Sequence, residues 1–232
     1  MKNYPRIYSL STLGLIHHYE NDYLFHNMRT DFVGDSGSGK SIIADLLQLI
    51  FVGSEMFESA TRTMDEKREL DGLVLRTPHK GIDIGYAFLN IEIQSRHYIV
   101  IGCYLESNSK RTKPFIIQGS SDPKANLLPI GQPLQTKDFK REGNICPLDD
   151  LLSQMEEKGL FLSYWETVKP YHRILYIHDI LPLDLASNEK TLKDYASVIR
   201  SFSRGKTIDT SNSNNLKQFI FGTEKIKENR KK

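Results

Sequence analysis

The chain is poor in the features that mark several large classes of protein. It has 2 cysteines in 232 residues, Cys103 and Cys146, far apart and with no CxxC pair. That excludes a disulfide framework and a cysteine-based zinc site. The histidines His17, His18, His172 and His178 show no HxxxH or HxxEH spacing, so they read as packing or surface residues. No apolar run approaches the roughly 20 residues that a membrane span needs. The start, MKNYPRIYSLSTLGLI, has neither a sustained apolar segment nor a small-residue cleavage site, and the expected location is cytoplasmic. Charge of one sign is lacking too. The formal net charge is +2, too small for a whole-molecule field that recruits nucleic acid. It is uneven, however: Lys217 to Lys232 carries six Lys/Arg against two Glu. Such an end reads first as a solvated tail. No internal repeat and no sustained heptads are visible.

What is present is concentrated in one stretch, DFVGDSGSGKSIIADLLQLIF, from Asp31 to Phe51. Gly34-x-x-x-x-Gly39-Lys40-Ser41 satisfies the P-loop pattern. Thr30 to Val33 reads as a short buried strand entering the loop. Ile43, Leu46, Leu47, Ile50 and Phe51 then recur at helical spacing, and Gly53 reads as the helix stop. Phosphate oxygens need many donors at close range. Gly34, Gly37 and Gly39 let the backbone curl so that successive N–H groups face one concavity. The positive end of a helix starting near Lys40 adds to it. Lys40 supplies a point charge for the β- and γ-phosphates, and the Ser41 hydroxyl a ligand for Mg2+. The candidate nucleotide-binding set is Gly34, Asp35, Ser36, Gly37, Ser38, Gly39, Lys40, Ser41 and Ile42, with ATP and Mg2+ as expected cofactors. The plain structural alternative is a Gly/Ser-rich turn before a helix.

Around this stretch, RIYSLSTLGLIHH (Arg6 to His18) has the composition of one or two strands. GIDIGYAFLNIEIQSRHYIVIGCYLES fits two strands separated by the Gln94–His97 region, and FIIQG a further short one. Pro123 to Pro147, with four prolines, reads as an irregular connector or mobile subdomain. Leu148, Leu151, Leu152 and Met155 mark a helix ending at Gly159. Asn188 reads as the N-cap of another, with Leu192, Tyr195, Ala196 and Ile199 on one face. Gly205 to Asn215 reads as a loop. The expected division is 1–122, a nucleotide-binding core with an antiparallel strand group; 123–147, the connector; 148–222, a helical part of the same lobe; and 223–232, a basic tail.

A leading strand pair, a GxxGxGKS loop, a helix and an antiparallel strand group together resemble the N-terminal lobe of an ABC-type ATPase head. Within that class the chain resembles the SMC and RecN group of DNA-processing ATPases. TDFVGDSGSGKSIIADLLQLIFVG is similar to their TGxNGSGKSTIIDAL opening, with Asp35-Ser36 in place of the usual Asn-Gly. YASVIRSFSRGK and NNLKQFIFG look like the point where large bacterial SMC-like proteins leave the head for a coiled coil, whose root would then be 223–232. The resemblance implies an α/β fold: a P-loop NTPase, specifically an ABC/SMC-like head lobe with a mixed sheet that includes the antiparallel strand group. It implies a head-to-head dimer, in which phosphates held by one P-loop are capped by the signature helix of the other head. Double-stranded DNA is then an expected partner, in DNA repair or in defence against plasmids and phages. In that group a glutamine after the strand group contacts Mg2+ and senses the γ-phosphate. Gln118 in FIIQGSS is the matching position and Gln94 a weaker one, with a plain polar turn residue as the alternative for Gln118. Neither an LSGGQ-like signature nor an apolar run closed by Asp-Glu is found. In SMC-like proteins those parts belong to the C-terminal lobe, so the resemblance implies half a head, an ATPase only when completed by that lobe or a second subunit.

Two other readings compete. GxSGSGKS also resembles the phosphate loop of uridine kinase and phosphoribulokinase-type enzymes, which carry their own metal-holding acid. Asp179 in RILYIHDILPLD is the candidate, although His178 interrupts the run and no Glu follows. The third reading is a nucleotide-dependent interaction module that does not hydrolyse. Trp165, in LFLSYWETV, reads as core or interface.

Overall fold

The computed structural model of the chain describes residues 4–26, 29–59, 70–77, 82–119 and 127–204. Two long hairpins set the architecture. β1 (Arg6–Leu15) turns through Ile16 and His17 into β2 (His18–Leu24), and β3 (Ile84–Gln94) turns through Ser95 and Arg96 into β4 (His97–Glu106). Both turns hold a residue in the left-handed region, His17 at φ 59° and Arg96 at φ 59°. Two-residue turns of this kind match the strand twist and force antiparallel pairing. β5 (Lys113–Gln118) adds beside β4. After α1 (Lys40–Val52) and the later elements described below, β8 (Phe161–Tyr164) closes the row. The order is β2-β1-β3-β4-β5-β8, and every pairing is antiparallel.

The mixed sheet that the resemblance implies is therefore not seen among the described residues. The segment expected to be a short buried strand entering the loop, Thr30 to Val33, joins no ladder among the described residues. Val33 is 93% exposed. Phe32 packs instead across Tyr23 and Phe25, ring centroids 5.6 and 5.9 Å apart. A strand needs a neighbour for its N–H and C=O groups, and among the described residues none lies alongside this one.

Alternation along the strands sends Leu89, Ile91, Ile99, Ile101, Cys103 and Ile116 to one face, and Tyr86, Phe88, Val100, Phe115 and Ile117 to the other. Both faces are covered. On the first lie α1, α3 (Val168–Ile177) and α4 (Glu189–Arg204). On the second lies α2 (Leu148–Glu157), which buries Leu148, Leu151 and Met155 as its spacing predicts. The small hairpin of β6 (Lys140–Arg141) and β7 (Asn144–Ile145) precedes α2.

The described part of the proline-rich segment is built into this second core. Phe139 is fully buried and stacks on Phe88 at 4.2 Å and 15°. Gly102 makes the room: a Cβ there would stand 2.5 Å from Phe115 and 2.7 Å from the Phe88 side chain. Asn90 fixes the segment's backbone, accepting from Leu134 N–H at 2.8 Å and donating to Leu134 O at 2.8 Å.

Helix ends follow their caps. Gly53 N–H donates to Leu49 O at 3.0 Å and stops α1. Asn188 Oδ1 accepts from Thr191 N–H at 2.7 Å and opens α4. Gly205 to Asn215 and the basic stretch Lys217 to Lys232 lie outside the described residues. No described helix is long and apolar enough to cross a membrane.

Candidate nucleotide site

α1 crosses the sheet. Its first turn meets the β1–β2 turn, where Gly39 lies against His17 and His18. Just beyond its far end, Ser54 Oγ accepts at 3.3 Å from the N–H of Thr112, the residue before β5. The last-turn carbonyls are satisfied from α3. Tyr171 Oη–H donates to Ile50 O at 2.9 Å, and His172 Nε2–H to Phe51 O at 3.0 Å. The helix is thus held at its C-terminal end and presents its N-terminal end.

The loop before it is open to solvent from Val33 to Ser38, and Gly39 is buried. Gly37 and Gly39 have φ 86° and 87°, the left-handed region where a side chain is strained. At Gly39 there is no room for one either: a Cβ would stand 2.6 Å from His18 Nε2. Gly39 is also the N-cap of α1, which has no side-chain cap and no acidic residue in its first turn. Among the described residues no carboxylate in the first turn opposes the helix dipole. Lys40 folds back over the loop, its ammonium donating to Gly34 O and Asp35 O at 2.6 Å each and lying 3.3 Å from Ser38 Oγ. Asp35 and Ser36 stand exposed at the tip of the turn, and Ser41 and Ile42 enter the helix, Ile42 N–H donating to Gly39 O at 2.8 Å.

The other expected site residues lie on other elements. Gln118 ends β5. It is buried, and its Oε1 has no hydrogen-bond partner among the described residues. Gln94 lies exposed at the β3–β4 turn. Asp179 is a helix stop: it has φ 56°, its N–H donates to Tyr176 O at 3.1 Å, and Ile180 N–H donates to Leu175 O at 2.9 Å. That is the left-handed end of α3, and the run RILYIHD is helix rather than the strand a metal-holding acid would close. Trp165 is half-buried beside Tyr171, ring centroids 6.1 Å apart.

One feature of the site had no signal in the sequence. His18 is 7% exposed, with Nε2 3.0 Å from Gly39 O and Nδ1 2.7 Å from Tyr23 Oη. Next to the loop, a cavity of about 580 Å³ runs from Lys40 along α1, walled by Phe25, Phe32, Ile43, Leu47, Ile91 and Tyr195 among others. It lies on the side of α1 that carries Leu47 and Phe51, the two expected apolar positions left only half-buried.

A loop of this form, entering a helix laid on an antiparallel meander, is the arrangement the resemblance to SMC heads implied. The family model MukB N-terminal matches residues 6–225, which takes in the whole sheet, the loop and the described helices. The chain belongs to the MukB N-terminal family. MukB N-terminal regions are part of an SMC-family ATPase head, so the architecture above is that of an SMC-like head region. No curated protein matches the chain.

Proposed function

We propose that this MukB N-terminal chain holds ATP with Mg2+ at Gly34 to Ile42 and forms the nucleotide-holding half of an SMC-like head. The observation that carries the reading is the uncapped start of α1 behind two left-handed glycines, with the Lys40 ammonium folded over the same loop. The residues fit a bound polyphosphate: first-turn amides and Lys40 meet the phosphate oxygens, and the Ser41 hydroxyl is the metal ligand. Gln118, whose buried Oε1 is unpartnered among the described residues, stays the proposed second metal ligand that the resemblance implies.

Completion comes from a C-terminal lobe or second subunit. The unladdered segment Thr30–Val33 and the apolar cavity beside it are the surfaces such a lobe would cover. Two completed heads then engage through ATP, and double-stranded DNA is the proposed cargo, in repair or defence, in the cytoplasm. Asp179 closes the helix α3 rather than a strand, which speaks against the small-molecule kinase reading.

The test is calorimetry with ATP·Mg2+ on the chain and on Lys40→Ala and Ser41→Ala. Losing a charge-assisted contact costs about 1.5–3 kcal/mol, one to two decades in affinity. Equal affinity for wild type and Lys40→Ala overturns the reading. Hydrolysis at about 1 s⁻¹ or more by the chain alone, lost in Lys40→Ala, overturns the half-head part of it.

A further inference from the structure

The β2 strand touches both ends of the phosphate loop. At the exit, His18 Nε2 lies 3.0 Å from Gly39 O. A carbonyl only accepts, so Nε2 carries the hydrogen and, in the neutral ring, Nδ1 is the acceptor. Tyr23 Oη, 2.7 Å from Nδ1, is then the donor, and burial pushes its pKa up, which keeps the phenol proton in place. At the entrance, the Tyr23 ring meets Phe32 edge-on at 5.6 Å and 81°, two residues before Gly34. The turn that carries His18 is itself anchored, with Ile16 N–H donating to Leu73 O at 3.0 Å and Leu75 N–H to Gly14 O at 2.9 Å.

The consequence for the loop follows from the planar peptide. Fixing Gly39 C=O fixes the Lys40 N–H, which points the opposite way in the same plane. Gly39 O then has both lone pairs engaged, by His18 and by Ile42 N–H at 2.8 Å. We propose that His18 and Tyr23 are positioning residues for phosphate binding, a brace that holds the exit and entrance of the loop in the curled form and aims the first amide of α1 outward. This rests on the reading that the loop holds nucleotide phosphates. Neither side chain touches the ligand in this role.

The experiment is calorimetry with ATP·Mg2+ and, separately, inorganic tripolyphosphate on wild type, Lys40→Ala, His18→Leu, His18→Gln and Tyr23→Phe, with melting temperatures alongside. A brace predicts Kd raised about five-fold in His18→Leu for both ligands, the scale of one lost neutral hydrogen bond. It also predicts unchanged stoichiometry, recovery in His18→Gln, whose amide still donates, and a smaller rise in Tyr23→Phe. A merely structural role lowers stoichiometry and melting temperature and leaves Kd alone, and that result overturns the brace. Should His18→Leu fail to fold, wild-type Kd in both His18→Gln and Tyr23→Phe, with a rise at neither residue, also overturns it. Wild-type binding lost only in Lys40→Ala removes the brace and leaves the nucleotide reading standing. No binding by wild type removes both.

Discussion

His172 makes the stability of the helix layer depend on pH in a calculable way. The ring is buried on α3 against the last turn of α1, where Nε2–H donates to Phe51 O at 3.0 Å. Nδ1 has no partner among the described residues, so a second ring proton would sit in the interior with none of them to accept it. Burial lowers the pKa from 6.5 to about 4, against the smaller opposing pulls of the Phe51 carbonyl and the Asp184 carboxylate. Above the ordinary value both folded and unfolded chains carry a neutral ring, and the group makes no difference. Between pH 6.5 and 4 the unfolded chain binds a proton that the folded chain refuses, so stability falls as pH falls through that window. At 1.36 kcal/mol per pKa unit, the loss from this one ring is about 2 kcal/mol on going from pH 7 to pH 5, and about 3 kcal/mol by pH 4. Carboxylates titrate near there too, so the measurement is a difference. Urea unfolding of wild type and His172→Gln is followed at pH 7, 6 and 5 by fluorescence of Trp165, which packs beside Tyr171. Glutamine keeps a donor for Phe51 O and has no titration. Wild type is expected to lose about 2 kcal/mol more than the variant between pH 7 and 5. Parallel pH curves, within about 0.5 kcal/mol, refute the account.

Phe139→Ala, which empties the ring stacked on Phe88, is expected to cost about 3–5 kcal/mol in denaturant unfolding; a loss under about 1 kcal/mol would mean the proline-rich segment is the loose connector its composition suggests. Asp179→Gly, at φ 56°, is expected to raise stability by up to about 1 kcal/mol, with ATP affinity unchanged by calorimetry; a lost metal dependence would restore the kinase reading.

Features set by near neighbours were legible. Gly53 and Asn188 end and begin helices where their residue types predict, and the β3–β4 hairpin turns within the stretch expected of it. α3 was missed although its stripe is regular: Val168, Tyr171, His172 and Leu175 are its buried positions. Pro170 does not interrupt it, because it stands in the first turn, where a missing N–H costs nothing. Thr30–Val33 failed in the other direction, because apolar composition makes a strand only beside a partner strand. The loop residues were legible as a pattern and their support was not. His18 comes 21 positions before Gly39, a separation at which only the folded hairpin decides that the two meet, and no spacing rule reaches across it.

The resting loop also explains why Lys40 should matter more for binding than for folding. Its ammonium already has two carbonyl acceptors at 2.6 Å, both in the loop it would serve. Those bonds are exposed and local, linking residues five and six apart, so little of the sheet or helix layer depends on them. A phosphate group replaces neutral acceptors with anionic ones at the cost of a short swing of the side chain, and adds the attraction between two full charges that a carbonyl does not offer. The exchange therefore favours the ligand without a vacant charge waiting in its absence. The brace at Gly39 gives the exchange a fixed backbone: with the peptide plane held from below, releasing Gly34 O and Asp35 O leaves the first amide of α1 where it was. A lysine that lets go and a glycine that does not are different parts of one device. The first is tested by affinity alone and the second by affinity at unchanged stoichiometry.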